Sequence, residues 1–418
     1  MRITYQSFIL ENGLKVIVHE DPTVNKVAVN IVYKVGARDE QEHRTGLAHL
    51  FEHLMFSGSK NIPDYDTHVQ RIGGECNAFT NSDLTNYYLT CPANQLETAF
   101  WLESDRMLEI DLSQKNVDVQ KSVVCEEFKQ RYLNQPYGDA YLHLRPLHYK
   151  KHPYRWMTIG MNLSHIEEVT LVECQHFFNS FYAPNNAVMC VSGGVSLDQV
   201  KILAEKWFGP IPNRFVDRPT RDTEPKQTEV RATTIHKKVP YSAVYKAYHM
   251  PARTDQAYYA ADMITDILSN GKSTRLFQAL VKEQKVTSRI SAFSWGLFDP
   301  GMISIEGRIA EGVSVTQYEE ALAGVLNRLA DEITETELQS MKNKVLSAET
   351  FEKTTILSRA MNLAIYDYLG DTDLINTNAD HYQRLTLDDI RQSIAEYLRP
   401  TNCSTLYYLS ETAHPSNA

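Results

Sequence analysis

Long apolar runs are missing from this sequence. None approaches the roughly 18 residues that a membrane-spanning helix needs, so we expect no transmembrane segment and no membrane partner. Residues 1–8 lack the long apolar core of a secretory signal, and the six cysteines show no C-x-x-C spacing. Scattered cysteines of this kind are typical of buried thiols in a reducing compartment. We therefore expect a cytoplasmic protein, or a periplasmic one if a signal has been removed.

Dense basic blocks are also missing. The 42 Lys and Arg residues are outnumbered by 52 Asp and Glu residues, which gives a formal net charge of −10. Because nucleic-acid binding depends on concentrated positive charge, we expect no nucleic-acid partner. What remains is an ordinary globular composition, with 43% hydrophobic residues and charge spread along the chain.

The length of 418 residues predicts more than one domain, since single cores rarely grow beyond about 300 residues. A charged segment with two prolines, residues 214–228, is the predicted linker. It divides the chain into an N-terminal domain over 1–213, which contains the candidate metal motif, and a C-terminal domain over 229–418.

The two halves share an internal repeat. Residues 170–186 and 386–402 both run from a threonine, through acidic residues and an apolar helical period, to a proline and an asparagine. Each threonine is placed to N-cap a helix, and each Pro-x-Asn leads into a strand-like run. A common helix–turn–strand unit met twice is the alternative, but the matched spacing at the end of each half favours duplication.

Strands and long helices are mixed along the chain. Period-2 and β-branched runs predict strands at 14–20, 27–35, 87–90, 243–249 and 302–307. Helical periodicity predicts helices at 47–57, 95–108, 113–132, 197–208, 256–268, 273–283, 314–333 and 335–362. We therefore predict an α+β fold of two tandem homologous domains, each a largely antiparallel sheet covered by helices.

His49, Glu52 and His53 form an H-x-x-E-H pattern in the apolar stretch 46–56. On a helix, both imidazoles project from one face and Glu52 lies beside them. Two imidazoles at this spacing suit one zinc ion, and the intervening carboxylate could activate a water molecule. The order reverses the commoner H-E-x-x-H and is typical of an inverzincin.

The motif alone is weak evidence for a metal site, because chance places some of fourteen histidines four residues apart. Its apolar surroundings strengthen it. Burying two histidines and a carboxylate together costs several kcal/mol unless they are paired or bound to metal. A hydrogen-bonded cluster without metal is the alternative.

A catalytic zinc needs a third protein ligand and an open position for water. Glu126 and Glu127 are the best candidates, since they form an acidic pair within the predicted helix 113–132. Adjacent side chains point about 100° apart on a helix, so only one of the two would face the histidines. Periodicity does not choose between them, and an acidic pair is often only a solvated face.

Three ordered motifs, His49–His53, Gly73–Tyr88 and Val123–Glu127, resemble the pitrilysin family of zinc peptidases. That family includes insulin-degrading enzyme and the mitochondrial processing peptidase, and the resemblance, to the bacterial two-domain type, covers essentially the whole chain. It implies endopeptidase activity and one zinc ion per chain. It also implies that Glu127, rather than Glu126, is the third ligand and that Glu52 is the general base.

The resemblance further assigns an edge strand that binds substrate. In the family, an extended peptide joins this strand by main-chain hydrogen bonds. The matching residues here are Asn77, Ala78, Phe79 and Thr80.

Two positions depart from the family pattern. Gln120, seven residues before Glu127, replaces a glutamate of many members and could still hydrogen-bond near the site. Active members complete their site with an Arg and a Tyr, which would bind substrate and stabilise the developing oxyanion. Val281 and Ser288 occupy the expected positions and offer neither group. We therefore expect a heterodimer with a related subunit that lacks the zinc motif, or alternatively a homodimer.

The predicted function is that of a zinc metallo-endopeptidase subunit acting on extended or unfolded peptides. Glu52 would take a proton from the attacking water and pass it to the leaving amine. The rival hypothesis is a non-catalytic structural or peptide-binding subunit of a larger assembly. The missing Arg and Tyr favour that rival, whereas the intact H-x-x-E-H motif opposes it.

Overall fold

A computed structural model describes residues 2–411. Its strands are β1 (Gln6–Ile9), β2 (Lys15–Glu20), β3 (Lys26–Tyr33), β4 (Glu75–Thr80), β5 (Thr85–Pro92), β6 (Ala187–Gly193), β7 (Arg231–Lys237), β8 (Ala243–His249), β9 (Thr287–Trp295), β10 (Met302–Ile309) and β11 (Cys403–Ser410).

Its helices in the first half of the chain are α1 (Leu47–Leu54), α2 (Tyr65–Arg71), α3 (Leu96–Leu108), α4 (Gln114–Phe128), α5 (Ala140–His148), α6 (Leu163–Glu167), α7 (Leu171–Phe181) and α8 (Leu197–Trp207). Those of the second half are α9 (Tyr258–Ser269), α10 (Val315–Glu332), α11 (Glu335–Glu352), α12 (Ile356–Leu369), α13 (Leu374–Arg384) and α14 (Leu387–Tyr397). The predicted α+β class is confirmed. Across residues 2–411, no helix combines the length and the apolar character needed to cross a membrane.

Contacts divide the chain into two compact units that interleave along the sequence. Unit 1 contains the chain up to Phe128 together with Trp156–Arg221 and Glu349–Asn378. Unit 2 contains Lys129–Arg155, Asp222–Ala348 and residues 379–411. Residues 129–155 of the first half of the sequence therefore belong to unit 2, and residues 349–378 of the second half belong to unit 1. Both segments are largely helical. The division at 214–228 concerns homologous halves of the sequence and stays a prediction.

Unit 1 is built on a mixed sheet with the strand order β1-β2-β6-β3-β5-β4. β2 and β6 are parallel, and the other neighbours are antiparallel. β3 is rich in β-branched residues and is buried at every position after Lys26. Burial of consecutive residues means that both faces of this strand are covered. α12 packs against β3 and β6, and α3 packs against β3 and β5.

Unit 2 repeats this topology with the strand order β7-β11-β8-β10-β9. Its parallel pair is β7 with β11, and the other neighbours are antiparallel. If β7 is matched with β2, the remaining strands fall into the same order: β11 with β6, β8 with β3, β10 with β5 and β9 with β4. The repeat seen in two sequence segments therefore extends through both sheets.

The two copies agree most closely where the sequence repeat was found. Thr170 and Thr386 N-cap α7 and α14, and each forms a capping box with the acidic residue three positions later. A proline then starts a short 3-10 turn in each copy. Asn186 and Asn402 close these turns by donating to the carbonyl five residues before them. The turns lead into β6 and β11, each of which is one strand of the parallel pair in its sheet.

One predicted helix is wrong. Apolar periodicity predicts a single helix over 335–362, but the structure contains two, α11 and α12, separated by a short turn. Thr355 N-caps α12 with its side chain. Arg359 donates to the carbonyls of Lys353 and Thr354, which the break leaves without helical partners. Hydrogen bonding by these side chains therefore overrides the apolar period.

A buried ion pair lies within α3 of unit 1. Glu103 and Arg106 are each 1% exposed, and Arg106 Nη2 lies 2.5 and 2.6 Å from the two carboxylate oxygens. The guanidinium also lies over the rings of Phe56, Tyr65 and Tyr87, at 5.2, 4.8 and 4.6 Å from their centroids. Because Phe56 lies two residues after the end of α1, this cluster supports the end of the motif helix.

Replacing Glu103 with Ala should destabilise the protein by about 3–5 kcal/mol, because Arg106 would stay buried without its carboxylate. Urea unfolding monitored by circular dichroism measures the decrease in the free energy of unfolding. Lys206→Ala is the matched control, since it breaks an exposed pair with Glu97 and should leave the unfolding midpoint nearly unchanged. Equal midpoint shifts in the two variants would contradict the prediction.

Candidate metal centre

The H-x-x-E-H motif lies on α1 in unit 1. The helix buries an apolar face with residues three and four positions apart: Leu47, Leu50, Phe51 and Leu54. This packing fixes the rotation of the helix and places His49 and His53 on a common face. Their rings meet edge to face, with centroids 5.0 Å apart. The His49 side chain is 11% exposed and that of His53 is 24% exposed.

α4 packs against α1 and brings a carboxylate to the two histidines. Glu127 Oε2 lies 3.7 Å from His49 Nε2 and 3.5 Å from His53 Nε2. Glu126, the neighbouring residue, is exposed to solvent. The structure therefore separates the two alternatives that helical periodicity leaves open, since Glu127 is the one that contacts the histidines.

The three side chains fit a single zinc ion. Their ligand atoms all lie within 4.8 Å of one another, and among residues 2–411 they are the one such group of three. Zinc binds nitrogen and oxygen at about 2.0–2.2 Å, which places neighbouring ligands of a tetrahedral site about 3.4 Å apart. The separations of 3.5 and 3.7 Å match that spacing closely. Partial exposure leaves one side open, as a catalytic zinc site requires.

Glu52 lies beside this group and close to Thr80, the last residue of β4. Burial raises the pKa of the Glu52 carboxyl group, and the polar groups of Thr80 together with His53 oppose the rise. The carboxylate is thus held in a half-buried position between α1 and the end of an edge strand. A carboxylate placed there can exchange a proton with a water molecule next to the histidines.

β4 is the outermost strand of the unit 1 sheet, and within residues 2–411 it pairs with β5 alone. The predicted substrate residues all lie on it: Asn77, Ala78, Phe79 and Thr80. Asn77 is exposed and the other three are partly buried. Asn77 Oδ1 accepts a hydrogen bond from the Ala78 amide at 2.8 Å, so an incoming peptide would compete with that contact. An edge strand otherwise offers its backbone groups to an extended chain.

The remaining predicted positions lie on three different elements. Gln120 is on α4 two turns before Glu127, so it shares a helix face with the candidate ligand and is partly buried. Val281 lies in the π-helical segment Phe277–Glu283 of unit 2, and Ser288 lies on the edge strand β9.

Glu40 is a supporting residue that the sequence analysis missed. Its two carboxylate oxygens accept hydrogen bonds from the amides of Gly46 and Ala48, each at 2.8 Å, at the start of α1. Capping patterns in a sequence are sought at the N-cap and three residues after it. Glu40 lies six residues before the N-cap, so no such pattern includes it.

Family models match most of the chain. Residues 15–143 match the model described as insulinase (peptidase family M16), and residues 168–345 match the peptidase M16 inactive domain. The zinc protease PqqE of Helicobacter pylori is 29% identical over 417 residues, which cover 96% of this chain and 92% of that protein. The uncharacterized zinc protease YmxG of Bacillus subtilis is 24% identical, with coverage of 81% and 82%.

Solved structures extend the likeness to the fold. A protease from Helicobacter pylori aligns with a TM-score of 0.92 at 27% identity, over 97% of this chain and 99% of that one. Pitrilysin aligns with a TM-score of 0.76 at 19% identity, over all of this chain and 46% of its own, and so shares the fold. The H-x-x-E-H order on α1 is the motif of inverzincins. The chain belongs to the M16 family of zinc peptidases.

The neighbouring glutamates of α4 provide a direct test of the ligand set. Glu127→Ala should weaken zinc binding on the order of 100-fold or more. It removes a candidate ligand itself, whereas loss of a residue that only orients a ligand costs about 10–100-fold. Glu126→Ala, one residue away and exposed, should leave the affinity unchanged. Competition with a zinc chelator measures both. Equal losses, or a larger loss for Glu126→Ala, would contradict the assignment.

Proposed function

We propose that this chain is the zinc-bearing subunit of a metallo-endopeptidase. The observation that carries the proposal is the cluster of His49, His53 and Glu127 with Glu52 beside it. Its donor atoms have the spacing of a tetrahedral zinc site, and its exposure leaves a position for substrate. Relatives named as zinc proteases support the same activity.

The residues of the site have separate roles in peptide hydrolysis. When bound, zinc supplies Lewis acidity, which lets a water molecule lose a proton near neutral pH. Glu52 takes that proton and returns it to the amine of the leaving peptide. Thr80 lies next to Glu52 and restricts where the carboxylate points.

Extended or unfolded peptides are the proposed substrates. No second strand among residues 2–411 pairs with β4, and the addition of a strand to its outer edge requires a peptide in the β conformation. Thr80 links this edge to Glu52, so a peptide along Asn77–Thr80 would pass beside the candidate metal site. Folded proteins would have to unfold locally in order to present such a segment.

Replacing Glu52 with Gln tests whether the chain is catalytic. The variant should retain zinc, since Glu52 is outside the ligand set, and should lose about 10²–10⁴-fold in kcat because the general base is gone. Cleavage of an unstructured fluorogenic peptide measures the rate, and metal analysis measures the zinc content. A non-catalytic assembly subunit, the rival that Val281 and Ser288 favour, would be indifferent to this substitution.

A partner subunit is the second part of the proposal. Val281 and Ser288 supply neither a guanidinium nor a phenol, so a related chain without the zinc motif would contribute both groups.

The purified chain should therefore cleave an unstructured peptide slowly. Titration with a related chain that has the Arg and Tyr but no H-x-x-E-H should raise kcat by at least about 100-fold, since even one oxyanion donor contributes about 10²–10³-fold. Light scattering on the chain alone distinguishes a homodimer from a monomer. Full peptidase activity of the lone chain would contradict the heterodimer hypothesis but would agree with the proposal of a zinc peptidase.

A further inference from the structure

The helix that carries both histidines has no cap of its own. The N-cap of α1 is Gly46, which has no side chain to accept a hydrogen bond from the first-turn amides. Those amides have no partners within the helix, and burying them unpaired is unfavourable. His49 is the third residue of the helix, so any disorder of the first turn would move a candidate ligand directly.

The usual capping side chains are excluded at this point. Gly46 has a φ of +95°, and a Cβ atom there would lie 2.4 Å from Ile166 Cδ1 and 2.7 Å from the Ile159 carbonyl oxygen. Serine, threonine, asparagine and aspartate therefore do not fit at this position. The hydroxyl of the preceding Thr45 already accepts a hydrogen bond from the Met161 amide at 2.8 Å.

Glu40 provides the missing cap from outside the helix. One carboxylate oxygen accepts from the Gly46 amide and the other from the Ala48 amide, each at 2.8 Å. The residue is 4% exposed, so water does not compete for these bonds. The second amide belongs to the residue immediately before His49.

Glu40 is itself held in place by the short 3-10 turn Ala37–Asp39, which it follows. The Trp156 indole donates to the Ala37 carbonyl at 2.8 Å. Asp39 accepts from the Gly36 amide at 3.0 Å and from Arg218 at 3.1 Å. The carboxylate of Glu40 therefore projects from a fixed support rather than from a free loop.

We propose that Glu40 is a positioning residue for the zinc site: its paired hydrogen bonds to Gly46 and Ala48 hold α1 where His49 and His53 meet Glu127. The inference rests on the proposed binding of zinc. Tetrahedral coordination tolerates displacements of only a few tenths of an ångström in its ligand atoms. If the first turn of α1 shifts or frays, zinc affinity therefore falls even though the three ligand residues are unchanged.

Two substitutions test this role through zinc affinity, measured by chelator competition well below each variant's unfolding temperature. Glu40→Ala removes both acceptors and should weaken zinc binding about tenfold or more, as for other groups that orient metal ligands. Glu40→Gln keeps the side-chain volume and one acceptor oxygen, so it should lose less. Cobalt in place of zinc should show altered visible absorption in Glu40→Ala, because the ligand geometry changes.

Glu20→Ala is the matched control. Glu20 also caps a helix from a separate segment of unit 1, since its carboxylate accepts from the Leu197 amide at 2.5 Å at the start of α8. α8 carries none of the candidate ligands, so this variant should bind zinc with wild-type affinity.

The outcomes separate this inference from the function on which it rests. Wild-type zinc affinity and an unchanged cobalt spectrum in both Glu40 variants would overturn the positioning role and leave the zinc site intact. Failure of the wild-type chain to bind zinc would overturn the proposed function as well. If Glu40→Ala does not fold, Glu40→Gln decides the question, and an affinity equal to that of Glu20→Ala counts against the proposal.

Discussion

The packing of α1 against α4 is the contact on which the rest of the site depends. It brings Glu127 to within 3.7 Å of two imidazoles from a distant part of the chain. Other features of unit 1 fix the two helices for this contact. The apolar face of α1 sets its rotation, Glu40 sets its start, and the Arg106–Glu103 pair lies under its end. Two positive charges on a metal would compensate for carboxylates that are half-buried so close together.

Unit 2 contains a matching helix that carries no candidate metal ligands. α9 takes the place of α1 in unit 2, and Gly271 after it has a positive φ, as Gly58 does after α1. The polar residues of α9 bond within unit 2. Asp262 accepts hydrogen bonds from Ser294 and Tyr382, and Asp266 accepts one from Asn270. These bonds satisfy the polar side chains of α9 without an ion, so the matching helix of unit 2 keeps the architecture without the candidate ligand set.

Local chemistry explains which features could be predicted. The apolar period of α1, the N-caps at Thr170 and Thr386 and the strand runs depend on residues close in sequence, and the structure contains them nearly as expected. Other features depend on distant partners. The break before Thr355 needs Arg359 to bind two carbonyls, and the interleaving of the two units has no local signal. Glu40 was missed for the same reason, since its partners lie beyond the range of capping patterns.

A zinc site and its oxyanion donors do not have to reside on one chain, and their separation has a physical consequence. Glu52 and the candidate ligands can prepare a water molecule, but each missing oxyanion donor lowers kcat by about 10²–10³-fold. A chain with Val281 and Ser288 at the expected donor positions would then bind an extended peptide at β4 and cleave it slowly. Under the proposed function, rapid hydrolysis would begin only when a second subunit supplies the missing donors. An edge strand recognises an extended backbone rather than a particular sequence, so it would accept many unfolded chains. A requirement for assembly would keep the lone subunit from cleaving them rapidly.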